Sequence, residues 1–209
     1  MTPPRRQVFW TVWPLWVAAS AVGNGLGAVA SDWPLRMSRD VPSVPSMITS
    51  GLVVTGGLVM LTLPAILQWL VLRNRLPGAG WWIPASAVGK FLSFYPIIMA
   101  IARFTYPSPN ASPFAAVTLM FLAGAVAGGM EWLVLRRRVS QAGWWVLARS
   151  IGLFGAIHVY SFVARGAVVQ FFLGGLASGA LSGAIAGLAL VWLLRNPAER
   201  LRDDMRLMP

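Results

Sequence analysis

Three ionisable residues, Lys90, Glu131 and Arg149, lie within long apolar stretches of the chain. Charge in such surroundings is costly, so each needs a counter-charge, a hydrogen-bond network or a ligand. The acid and the arginine suit a hydrogen-bonded ion pair, and two cations against one acid suit an anionic solute. Other chemistry is poorly supplied. There is no cysteine and a single histidine, His158, which excludes thiolate metal sites, cysteine nucleophiles and multi-histidine ligand sets. His158 is a weak candidate for a metal or tetrapyrrole ligand and a better one for a hydrogen-bonded residue at a membrane boundary. No Ser/His/Asp arrangement and no paired carboxylates stand at a usable spacing. The chain is therefore expected to be no enzyme and to use no cofactor. Asn110-Ala111-Ser112 fits a short glycosylation pattern and is assigned no role.

The elements that must position these residues follow from composition. Of 209 residues, 57% are apolar and 11% charged, with a mean hydropathy of +0.67, a balance that excludes an ordinary soluble domain. A helix needs about twenty mostly apolar residues to cross the hydrocarbon core. Six stretches qualify: Val8 to Ala30, Met47 to Leu72, Trp81 to Phe104, Pro113 to Leu135, Trp144 to Ala164 and Gly166 to Leu194. Together they make residues 1–209 one membrane domain, with 196–209 a short cytoplasmic tail.

The net charge of +11 does not point to nucleic acid, because the basic residues follow a membrane pattern. Arg5, Arg6, Arg73, Arg75, Arg136, Arg137, Arg138, Arg195, Arg200, Arg202 and Arg206 fall in the N-terminal arm, alternate connections and the tail. The opposite side carries only Arg36, Arg39, Arg103 and Arg165. The positive-inside rule then places both termini in the cytoplasm, and a bacterial cytoplasmic (inner) membrane is the expected location. All the tryptophans except Trp33 fall near the cytoplasmic side; anchoring at the headgroups is preferred over an aromatic cage. Arginine and tryptophan on one rim also suit anionic lipids. Arg5-Arg6, an apolar run and Ala28-Val29-Ala30 before Ser31 resemble a secretory signal with its cleavage site. Removal is not expected, since the first stretch takes part in a repeat.

Gln68-Trp69-Leu70-Val71-Leu72-Arg73 recurs as Glu131-Trp132-Leu133-Val134-Leu135-Arg136, each followed within about ten residues by Gly-Trp-Trp, a strong sign of duplication. Val191-Trp192-Leu193-Leu194-Arg195 is an eroded third copy. The other halves agree: the segments beginning at Trp16, Trp82 and Trp145 each reach a glycine seven residues on, at Gly23, Gly89 and Gly152. The expected fold is an all-α transmembrane six-helix bundle of three parallel two-helix repeats, about 8–73, 81–136 and 144–195. A pseudo-threefold axis would be normal to the membrane. The repeated signature resembles that of a group of bacterial polytopic membrane proteins, and the resemblance implies no activity, cofactor or site residue.

Small residues allow membrane helices to approach closely. Gly175, Gly179, Gly183 and Gly187 recur every fourth residue in the sixth stretch, as do Gly124 with Gly128 and Gly23 with Gly27. Packing within the bundle is preferred over a homo-oligomer or partner-docking face. Pro64 and Pro96 are expected to kink their helices. Counted from the tryptophan rim, Arg149 and Glu131 lie about 6 to 8 Å inside and Lys90 about 12 Å. Side-chain tilt converges the three, so Glu131 is expected to pair with Arg149. Lys90 is the competing or third partner, and Gln68, at the repeat position of Glu131, hydrogen-bonds nearby. The leading functional expectation is a non-catalytic accessory or scaffold subunit binding other membrane proteins or lipids. The alternative is a small transporter or channel for an ion or anionic solute.

Overall fold

The structure, a computed structural model, describes residues 5–41, 45–76, 78–105, 113–136, 138–164 and 167–195. Side chains are described throughout these ranges except at 5–10, 38, 39, 95, 96, 98–105, 113 and 116. The tail 196–209, Tyr106, Asn110 and Arg165 lie outside the described residues. Six α-helices follow in order: α1 (Arg5–Asp40), α2 (Ser46–Leu72), α3 (Trp82–Thr105), α4 (Pro113–Leu135), α5 (Gly143–Val163) and α6 (Val168–Arg195). Among the described residues there is no strand. Among the described residues, five helices, α1, α2, α4, α5 and α6, are long and apolar enough to cross a membrane, which makes this a multi-pass membrane protein.

Helix α1 runs ten residues past the end expected at Ala30. The signal-like Ala28 to Ser31 is thus the interior of a continuous helix. The extension is held by Asp32 and Arg36, an ion pair one turn apart, and by Arg36 lying 4.7 Å over the Phe171 ring of α6; both contacts favour continued helix. Helices α2 and α3 continue through Pro64 and Pro96.

Each helix packs on its neighbours in the chain, and α6 returns along α1, closing a ring. Glycine makes the closest approaches possible. A Cβ on Gly179 would stand 2.4 Å from the Ser20 carbonyl oxygen, and one on Gly175 2.6 Å from that of Asn24. Gly183 and Gly187 meet Ser20 and the Trp16 and Trp13 rings of α1, while Gly124 and Gly128 lie against Ser150 and Arg149 of α5. These faces are therefore consumed inside the chain. Among the described residues, α2 and α3 approach each other over the shortest stretch of the six neighbouring pairs.

The connections after α2 and α4 fold alike. In both, amides fold back on the helix end: Arg73 and Arg136 donate to Trp69 and Trp132, and Leu76 and Val139 donate to Leu72 and Leu135. Both then pass through a left-handed residue at the same position, Gly78 at φ 73° and Gln141 at φ 58°. Arg73 and Arg136 stack over Trp69 and Trp132. The apolar core lies at this end of the ring, where Leu76, Ala79, Val139 and Ala142 from the connections cover the helix ends.

Candidate functional site

At the centre of that core Trp16, Trp82 and Trp145 are fully buried and meet edge to face, with ring centroids 5.5, 5.9 and 5.5 Å apart. This arrangement stabilises by about 0.5 to 1.5 kcal/mol per pair beyond the burial itself. The expectation of headgroup anchoring fails for these three. A ring around an axis brings its innermost residues to the middle, whereas the adjacent Trp81 and Trp144 are 73% and 56% exposed and suit the interface.

A buried indole N–H needs an acceptor. Trp82 donates to Gln68 Oε1 at 3.2 Å, and Gln68 Nε2 donates to Ser20 Oγ at 2.9 Å. The next joint repeats the pattern: Trp145 donates to Glu131 Oε2 at 2.9 Å, and Ser86 donates to Glu131 Oε1 at 2.9 Å. The third joint breaks it, since Trp16 Nε1 has no acceptor. The glycine contacts explain the loss. Gly179 and Gly183 meet Ser20 and Val17 as Gly124 and Gly128 meet Arg149 and Val146, so Ala186 stands in α6 where Glu131 stands in α4. The likeness of Val191–Arg195 to the other two copies is thus about one turn out of the packing register.

Arg149, where the first two odd helices have Ser20 and Ser86, supplies the expected ion pair. Its Nε lies 2.9 Å from Glu131 Oε2 and its Nη2 donates to Oε1 at 3.3 Å. Glu131 is fully buried, and three side chains from two neighbouring helices, Ser86 of α3 and Trp145 and Arg149 of α5, converge on its carboxylate. Two expectations need correction. Gln68 belongs to its own joint with Ser20 and Trp82. Lys90 forms no hydrogen bond or ion pair with Glu131 among the described residues: its Nζ donates to the Leu61 carbonyl at 3.4 Å.

Past the tryptophans the ring is hollow. A cavity of about 320 Å³ is lined by residues from all six helices. On α5 the lining runs from Arg149 to Ser161, about 18 Å along the helix axis at 1.5 Å per residue. Its walls are mostly apolar, and Lys90 lines it along with Asn24, Gln68 and Arg149. Most of its polar groups are already engaged: Asn24 donates to Ser20 O, Ser93 to Ala123 O, and Ser178 and Ser182 to carbonyls of their own helix. The lining residues Met60 of α2, which also lies against Gly27 of α1, and Phe94 of α3 are 43% and 53% exposed. Sequence reasoning found the charged residues and missed the hollow, whose only trace was the row of small residues spaced along α6.

His158 lies on the exposed face of α5, with Nδ1 2.8 Å from the Phe154 carbonyl oxygen. Among the described residues no group of three or more His, Cys, Asp or Glu side chains could hold a metal.

Compared with family models, with curated proteins and with solved structures, the chain matches none.

Proposed function

We propose that this is a non-catalytic, six-span protein of the bacterial inner membrane that binds a membrane amphiphile within its helix ring, as a lipid-binding accessory subunit. The observation that carries the reading is the cavity itself, mostly apolar, of small-ligand size and joined to a floor of three buried indoles through Gln68, which lines it and accepts from Trp82. Pockets of a few hundred Å³ with apolar walls and a few polar groups are the usual form of ligand sites. A pore would need a polar path through that floor. In this reading the helices are three parallel hairpins about a pseudo-threefold axis, with both termini cytoplasmic. The like connections and the Gln68 and Glu131 joints support it. The resemblance to bacterial proteins with the same repeated signature belongs to the same proposal, and a protein partner or second copy would sit on the outer surface.

Native mass spectrometry of the full chain, extracted from its own membranes in a mild uncharged detergent, tests the reading. The expected result is a retained lipid-like mass, lost when Leu153→Trp fills the cavity in a protein that still folds. A bare chain in every preparation, or equal retention by the filled variant, overturns it. Lys90 in the cavity favours transport of an anionic solute as the second reading, which requires flux in proteoliposomes that changes in Lys90→Met.

A further inference from the structure

Among the described residues of the cavity, Lys90 is a charged side chain that no counter-charge in hydrogen-bonding contact answers. Among the described residues two ion pairs form, Asp32 with Arg36 and Glu131 with Arg149, and neither includes Lys90. Its single hydrogen bond, 3.4 Å to a neutral carbonyl, is at the long limit for such a contact. Arg149 also lines the cavity, but its charge is answered by Glu131, so the three inner groups carry one net positive charge. An ammonium held among apolar walls is costly unless an anion or a water-filled space accompanies it. The shape of the space limits what that anion can be. A volume of about 320 Å³, lined along α5 over about 18 Å, matches a ligand with one hydrocarbon chain better than one with several.

We propose that the cavity takes an anionic amphiphile with a single hydrocarbon chain, its carboxylate or phosphate head bound at Lys90. This rests on the proposed amphiphile-binding function and adds the charge and number of chains of the ligand. The head shares the cavity with Asn24, whose amide nitrogen is committed to Ser20 O, and with Arg149 of the ion pair. The tail runs away from the tryptophan floor between Leu153, Ile157 and Phe94. Access is lateral, through the α2–α3 seam at Met60 and Phe94, so the ligand comes from the bilayer. In this arrangement the ion pair has a second role: Glu131 holds the Arg149 charge away from the head and leaves Lys90 as the principal anchor.

The test measures binding of three probes to the purified full chain in uncharged detergent: palmitate, hexadecanol with the same chain and no charge, and acetate with the charge and no chain. Palmitate is expected to bind at least about tenfold more tightly than hexadecanol, in line with a charge-assisted hydrogen bond. Lys90→Met is expected to abolish that preference while leaving hexadecanol binding unchanged. Lys90→Arg is expected to keep most of the preference, and acetate is expected not to compete at millimolar concentration. Leu153→Trp is expected to lose both long-chain probes. Equal binding of palmitate and hexadecanol, or an unchanged preference in Lys90→Met, overturns the anionic head and leaves amphiphile binding standing. Acetate competing as well as palmitate overturns the single chain, because the site would then be one for small anions. Binding of neither long-chain probe to the wild-type chain overturns both this inference and the function on which it rests. Circular dichroism and gel filtration of each variant separate loss of binding from loss of fold.

Discussion

At residue scale, the three indoles are chemically identical and differently placed, which makes their N–H groups a natural experiment. Trp82 and Trp145 have acceptors and Trp16 has none. Removing a donor leaves its buried acceptor unpaired and costs about 1 to 3 kcal/mol, whereas removing an orphan donor removes a penalty already present. Trp82→Phe, which strands Gln68 Oε1, is therefore expected to destabilise more than Trp16→Phe by at least about 1 kcal/mol, after the shared loss of ring area. Equal midpoints in denaturant titration would refute this. The ion pair gives a second contrast. Glu131→Gln strands a partly buried Arg149, and breaking a buried pair by removing one partner costs up to about 3 to 5 kcal/mol. Glu131→Gln combined with Arg149→Ser recreates the neutral joint already present at Gln68, Ser20 and Trp82. The double variant is expected to be more stable than Glu131→Gln alone, and a double variant that is the sum of its parts would show that the two joints are not interchangeable. Sequence spacing and helix direction sufficed for the Glu131–Arg149 contact, because both side chains reach toward a common level. They could not place Lys90, whose partner is the backbone carbonyl of Leu61 and carries no signature in residue type.

At element scale, glycine at one helical spacing does two different jobs that the sequence alone does not separate. Gly179 admits the α1 backbone, while Gly57 on α2 has open space within 4 Å of where a Cβ would stand. Overpacking costs about 1 to 3 kcal/mol, and replacing an unneeded helical glycine by alanine gains about 0.5 to 1 kcal/mol. Gly179→Ala is thus expected to lower thermal stability and Gly57→Ala to raise it, and the same sign for both would contradict the close α1–α6 approach. The connection after α4 offers the converse case. Gln141 holds a left-handed φ of 58° where its counterpart is Gly78, a conformation that costs a residue with a side chain about 1 kcal/mol. Gln141→Gly is expected to stabilise by up to that amount and Gly78→Ala to destabilise, read as opposite shifts in melting temperature. Helix positions were legible because each apolar stretch is close to one span long. The extra turns of α1 were not, since they depend on Arg36 reaching Phe171, a contact 135 residues distant in sequence.

At the scale of the whole molecule, the tryptophans and arginines that mark one side of the bundle do so for separate physical reasons, and only one of these could be read from the chain. Arginine at helix ends reflects how segments enter a membrane, a property of loops. The tryptophans divide by geometry: rings pointing outward, such as Trp81 and Trp144, suit the headgroup layer, and rings pointing to the axis, Trp16, Trp82 and Trp145, close the floor. A six-member ring needs a plug at its centre or stays hollow, and here it does each at a different level, apolar and filled beside the connections, open beyond them. The absence of cysteine makes the orientation directly testable, because any single introduced thiol is the only one. Asn74→Cys and Ser140→Cys, in the two like connections, are expected to react with a membrane-impermeant maleimide only after the cytoplasmic face is exposed in inverted vesicles. Asp40→Cys, at the far end of α1, is expected to react in intact cells with the outer membrane permeabilised. Labelling of all three from one side would mean that α2, which joins Asp40 to Asn74, does not carry the chain across, and the hairpins could then not be parallel. The same vesicles test the floor. If the indoles seal the ring, the wild-type chain adds no ion leak to liposomes, and Trp145→Ala, which removes a third of the plug and an N–H donor to Glu131, raises leak while leaving the cavity above it intact. A wild-type chain that leaks as fast as this variant would mean that the tryptophan floor is not the barrier.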